Sequence, residues 1–129
     1  MNRAPSYRLY AAVIWTLGLL YAILSPGSAV PELPTFPGFD KSVHFTLFFG
    51  LVFLWARFWN AHAKEENKTK KLFINYLVFG IIFAIFTEYL QTYVPNRSFD
   101  YLDIGANLTG GATGMVLFVY LNKKRSILV

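Results

Sequence analysis

Cysteine is absent from the 129-residue chain, which excludes disulfides, thiol nucleophiles and cysteine-ligated zinc and leaves the redox compartment unmarked. Charge is scarce as well. Asp, Glu, Lys and Arg together make up 15% of the residues, against roughly 25% in an average soluble domain. The sequence contains no Gly-x-Ser-x-Gly elbow, no glycine-rich phosphate loop, no His-Glu-x-x-His pair and no EF-hand loop, and Gly110-Gly111 follows no strand-like run. What is plentiful is apolar: 55% of residues are hydrophobic, and the mean hydropathy is +0.41.

The apolar residues fall into four runs, at about residues 9–25, 40–59, 72–94 and 101–121, each long enough at about 1.5 Å per residue to cross a hydrocarbon layer roughly 30 Å thick. The first stops at Ser25, Pro26 and Gly27, and Pro31, Pro34, Pro37 and Gly38 prevent a continuous helix through the following segment. Between the second and third runs, Asn60 to Lys71 reads as a solvated polar hairpin, and His62 within it as an exposed residue. Pro95-Asn96-Arg97-Ser98 makes a short turn into the fourth run, which closes at Lys123, Lys124 and Arg125. The fold class expected is all-α: a single domain over residues 1–129, an integral membrane four-helix bundle with both termini cytoplasmic. Arg3, Arg8, the first apolar run and Gly27-Ser28-Ala29 also have the outline of a secretory signal; the length of the run favours a retained helix.

Orientation follows from Lys and Arg, which cytoplasmic loops retain during insertion. Arg3, Arg8, Arg57, Lys64, Lys68, Lys70, Lys71, Lys123, Lys124 and Arg125 fall on one side, and only Lys41 and Arg97 on the other. The net charge of +5 is thereby accounted for by topology, and no nucleic-acid partner is expected. Trp55, Trp59, Tyr93 and Tyr120 lie near the ends of runs, where aromatic rings favour the headgroup layer, whereas Trp15 lies mid-span.

Ionisable side chains at membrane depth cost at least a few kcal/mol and normally face a partner inside protein. His44 lies in the second run, Glu88 and Gln91 in the third, and Asp103 and Asn107 in the fourth. From the expected outer boundary, His44 and Asp103 are roughly 5 Å deep, and Glu88 and Asn107 roughly 10 Å. All five share the outer half, while Asn75, near the opposite boundary, reads as solvated. Asp40 and His44, Glu88 and Gln91, and Asp103 and Asn107 are each three or four residues apart, hence on one helix face. Below Asp103 and Asn107, the row Ala106, Gly110, Gly114 permits close backbone approach, which makes the fourth helix the expected centre of packing. His44, Glu88, Gln91, Arg97, Asp103 and Asn107 are expected to converge on one outward-facing site.

The motifs themselves resemble the VanZ-like family. Asp40-Lys41-Ser42-Val43-His44-Phe45 is similar to the family's Asp-Lys-x-x-His-Phe opening, and Glu88-Tyr89-Leu90-Gln91 to its Glu-x-x-Gln element. Pro95-Asn96-Arg97-Ser98, with Asp103, Asn107 and Gly110 or Gly111, resembles its third element. The three occur in family order between Asp40 and Gly114. Phe48 departs from the pattern, since many members carry tyrosine there. The resemblance implies a protein of the bacterial inner membrane, with a founding member that confers resistance to the lipoglycopeptide teicoplanin, and a broader role in the envelope or its lipids.

Three functions remain open on this reading. One is engagement of an outer-leaflet amphiphile, such as a membrane lipid, a lipoglycopeptide or a lipid-linked cell-wall precursor, with Lys41 and Arg97 on an anionic headgroup and Asp40, Gln91, Ser98 and Asn107 contributing to binding. The second is a hydrolase or transferase in which His44 is general acid or base and Glu88 or Asp103 orients it; a metal held by His44, Glu88 and Asp103 is a variant that no ligand-spacing motif supports, so neither metal nor cofactor is assigned. The third is a structural or partner-binding bundle in which the polar cluster only fixes helix register. Four helices without an internal repeat make transport the weaker expectation. The sequence leaves the oligomeric state open.

Overall fold

The computed structural model describes residues 6–26 and 36–124. Four helices make up the described residues, with no strand among them: α1 (Ser6–Leu24), α2 (Phe39–His62), α3 (Glu65–Gln91) and α4 (Tyr101–Lys123). Each is long and apolar enough to cross a membrane, and the protein is a multi-pass membrane protein. Arg3, Arg125, Gly27-Ser28-Ala29, Pro31 and Pro34 lie outside the described residues.

The helices run further than the apolar runs at the basic face. α2 continues to His62, and α3 begins with a 3-10 turn at Glu65–Asn67, so the expected hairpin narrows to a brief break. Short polar segments between two helices extend them readily when water satisfies their side chains. At the other end α3 stops at Gln91, three residues before the expected Val94, and the chain turns through Asn96, whose φ of 62° lies in the left-handed region that asparagine tolerates.

Packing places α2, not α4, at the centre, because α2 makes the most extensive contact in the bundle, with α4, and also packs on α1 and α3, whereas α4 packs mainly on α2 and α3. The expected role of glycine holds, but its beneficiary is the α2–α4 pair. A Cβ on Gly110 would run into the carbonyl of Phe45, and one on Gly114 into that of Phe49, so α4 lies backbone to backbone on α2. On the other side of α2, the Trp15 ring of α1 covers Gly50, its Nε1 donates to the Leu47 carbonyl at 2.9 Å, and Trp55 Nε1 donates to Thr16 Oγ1 at 3.0 Å. Trp55 also stacks on Phe79, so this half-buried ring serves the α1–α2–α3 contact.

α3 carries a π-helical segment at Tyr76–Ile82. Its wider turn lays the Tyr76 ring over Gly80 and sends the Tyr76 hydroxyl to the Leu108 carbonyl of α4 at 3.1 Å. Asn75, just before it, is buried rather than solvated. Its Nδ2 donates to the Val52 carbonyl at 3.1 Å, and a buried amide keeps such a partner because an unpaired one costs about 1–3 kcal/mol.

Candidate functional site

At the end of the bundle where α2 begins and α4 begins, polar side chains meet. Gly38, with φ +83°, turns the chain into α2, and the first two turns of that helix carry Asp40, Lys41 and His44. Asp100 caps α4, its Oδ1 accepting the Leu102 N–H at 2.8 Å, and the following turns present Asp103 and Asn107. Close approach at Gly110 brings these two helix starts together.

His44 is 2% exposed, Asp103 5% and Asn107 fully buried. His44 Nδ1 lies 3.0 Å from Asn107 Oδ1, and its Nε2 lies 3.7 Å from Asp103 Oδ2, beyond hydrogen-bond range. The other oxygen of Asp103 faces Lys41 Nζ at 2.6 Å. Lys41 also holds Asp100 Oδ2 at 2.5 Å and sits 3.6 Å from Asp40 Oδ2. Arg97 Nη1 reaches Asp40 Oδ1 at 3.7 Å. The Lys41 ammonium, and secondly the Leu102 N–H, hold the Asp100 carboxyl below its ordinary range.

The sequence that builds this site matches a known family. The VanZ/LLP1 family model covers residues 6–122, nearly the whole chain. The chain belongs to the VanZ/LLP1 family. An uncharacterized protein of Schizosaccharomyces pombe is 29% identical over 124 residues, which span 94% of this chain and 73% of the yeast protein. No solved structure matches the chain.

In this VanZ/LLP1 chain the sequence-derived candidates separate into groups. Asp40, Lys41, His44, Arg97, Asp103 and Asn107 form one contiguous network. Glu88 joins it through the backbone: its Oε1 accepts the Asp100 N–H at 2.7 Å, while its buried Oε2 has no partner among the described residues. Gln91 is buried but turned away, its Nε2 donating to the Ile23 carbonyl of α1 at 3.0 Å. Ser98 is exposed and makes no hydrogen bond with the network among the described residues. Phe48, one turn beyond His44, is fully buried in the core against Phe83.

Asp100 is the residue that sequence reasoning overlooked. Its signal is Asp100-Tyr101-Leu102-Asp103, an acidic residue at the helix start with another carboxylate three positions on, the pattern that satisfies first-turn N–H groups. The charge balance is also informative, for four carboxyl groups (Asp40, Glu88, Asp100, Asp103) face two fixed cations, Lys41 and Arg97. For metal binding, Asp40 takes the place in which the sequence suggested Glu88: among the described residues, one donor atom each from Asp40, His44 and Asp103 lie within 4.8 Å of one another.

Proposed function

We propose that this VanZ/LLP1 protein engages the polar headgroup of a membrane amphiphile at the end of the bundle where α2 and α4 begin. The observation that carries this reading is the pairing of a buried His44–Asp103–Asn107 array with a charged rim of Asp40, Lys41, Arg97 and Asp100. A buried array supplies directed hydrogen bonds in a poorly screened setting, and a rim at the lipid boundary meets a headgroup without drawing its acyl chains out of the bilayer. Guanidinium and ammonium groups suit phosphate or carboxylate. The site opens to the extracytoplasmic side if the ten basic residues of the opposite face mark the cytoplasm, and the proposed setting is the cytoplasmic membrane of a bacterium. A relative in a yeast, an organism without peptidoglycan, favours a membrane lipid over a lipid-linked wall precursor or teicoplanin itself as the ligand common to the family; resistance is then one consequence of altering the envelope.

Lipids that co-purify with the protein, identified by mass spectrometry, test this reading. The expected result is a defined phospholipid class that is lost in Arg97→Gln and Lys41→Gln. An unchanged lipid profile in the double variant overturns it.

A second reading has its own observation. The Asn107 amide fixes the imidazole of His44 through Nδ1 and leaves Nε2 facing Asp103, the arrangement of a positioned acid or base. Hydrolysis or group transfer on the same headgroup follows, and turnover of a labelled phospholipid that stops in His44→Gln separates catalysis from binding.

A further inference from the structure

We propose that Asp40, His44 and Asp103 form a site for a divalent transition metal of the zinc or manganese class, which bridges the protein to the headgroup. The inference rests on the headgroup reading only for what fills the remaining coordination positions; the metal site itself stands on the following geometry.

Asp40 and His44 are one turn apart on α2, and Asp103 faces them from α4, so three candidate ligands come from two helices locked together at Gly110 and Gly114. With the Asn107 oxygen at 3.0 Å, His44 Nδ1 carries its proton and donates it. In the neutral imidazole, Nε2 then presents a lone pair to the Asp103 carboxylate across 3.7 Å. That separation is beyond direct hydrogen-bond reach. Two ligands of one metal, with bonds of about 2.1 Å at a tetrahedral angle, stand about 3.4 Å apart. Asp103 is divided accordingly: Oδ1 belongs to Lys41 at 2.6 Å, and Oδ2 faces the imidazole. Asn107 plays the part that a carbonyl commonly plays behind a metal-bound histidine, holding the far N–H and the ring plane.

A second observation concerns the charge around these ligands. Glu88 is fully buried and its Oε2 has no partner among the described residues, although its Oε1 binds the backbone of Asp100 and Asp100 shares Lys41 with Asp103. Asp40, Asp100 and Asp103 share the ammonium of Lys41, and Arg97 reaches only Asp40, so a cation bound beside them meets an acidic setting. The donors select the metal. One imidazole and two carboxylates, in a chain without cysteine, suit zinc, manganese or ferrous iron better than copper(I), and better than magnesium or calcium, which favour oxygen throughout. The rim position of Asp40, which is exposed, leaves the open coordination positions on the headgroup side.

The test uses the whole chain in detergent, stripped with EDTA and titrated with Zn²⁺, Mn²⁺ and Mg²⁺ by calorimetry, with elemental analysis of the reloaded protein. One Zn²⁺ or Mn²⁺ per chain is expected, each bound at least tenfold more tightly than Mg²⁺. Asn107→Leu is expected to weaken binding about 10–100-fold. Lys41→Met removes a competing ammonium and keeps every ligand, so it is expected to bind more tightly than the parent. His44→Ala should abolish binding, with circular dichroism confirming its fold; if that variant does not fold, Lys41→Met and Asn107→Leu decide the outcome. No binding below about 1 mM in both the parent and Lys41→Met overturns the proposal, as does affinity unchanged in Asn107→Leu. Phosphatidylglycerol nanodiscs separate this inference from the headgroup reading. Lipid binding that is unchanged by EDTA leaves the headgroup reading and overturns the bridging role of the metal; metal binding in nanodiscs with no lipid selectivity keeps the site and removes the headgroup reading.

Discussion

Asn107 controls how His44 behaves, because a single amide oxygen determines which imidazole nitrogen keeps its proton. Asn107→Leu leaves a buried N–H unpaired, which costs about 1–3 kcal/mol. The expected outcome is a lower melting temperature together with a changed tautomer ratio for His44, read from nitrogen-15 chemical shifts. A melting change without a tautomer change would place the residue in packing alone. Asp100 works through charge at the rim. Lys41, and then the Leu102 N–H, hold its pKa below the ordinary 3.8. A group whose folded pKa is depressed contributes stability above its unfolded value and loses it as pH falls through the folded value. Melting temperature is therefore expected to drop as pH is lowered from about 5 towards the depressed pKa, and Asp100→Asn should flatten that part of the profile. A parallel slope in the variant would assign the acid sensitivity to other carboxyl groups.

Helix contacts set the next scale. Gly105 and Gly110 differ in sequence by five positions and in surroundings completely: a Cβ at Gly105 meets nothing within 4 Å, whereas one at Gly110 meets the Phe45 carbonyl. Gly110→Ala must push α2 and α4 apart and is expected to cost about 1–3 kcal/mol. It should also loosen the site above it, since His44 is carried by the turn just before Phe45. Gly105→Ala is expected to be neutral or mildly stabilising, as the better helix former. Steric trapping or thermal melting of the two variants in the same detergent makes the comparison, and equal effects would contradict the close-approach account. Gln91 belongs to this scale as well. Its bond to Ile23 satisfies a carbonyl in the last turn of α1, one of the groups a helix end leaves unpaired. Gln91→Leu should therefore weaken the attachment of α1, by about 1 kcal/mol, while leaving ligand binding at His44 unchanged.

For the molecule as a whole, the question is which face meets the cytoplasm. Two interhelical bonds, Arg8 Nη1 to the Arg57 carbonyl and Asn60 Nδ2 to Asn122 Oδ1, gather the start of α1, the end of α2 and the end of α4 on one face. Lys41, Arg97 and the polar network occupy the other. A chain without cysteine gives labelling with no background, so Ser98→Cys and Glu66→Cys test the orientation directly. Ser98→Cys is expected to react with an impermeant maleimide in intact cells, and Glu66→Cys only after permeabilisation. The reverse pattern would turn the site towards the cytosol and exclude an outer-leaflet ligand.

Hydropathy and the spacing of polar residues are local properties, and the four helices, their approximate limits and the company of His44, Asp103 and Asn107 were therefore legible in the sequence. The small-residue row in α4 was legible too, because only glycine lets backbones touch. Packing decided what these local signals leave open. Gln91 shares a helix face with Glu88, but it points to α1 because that helix ends with a carbonyl in need of a donor. Asn75, expected near water, lies buried where α2 offers the Val52 carbonyl. The place of α2 at the centre, the π turn around Gly80 and the division of Asp103 between Lys41 and His44 depend on distances between segments far apart in the chain. Periodicity tells each helix which face is polar; only the assembled bundle determines which partner that face meets.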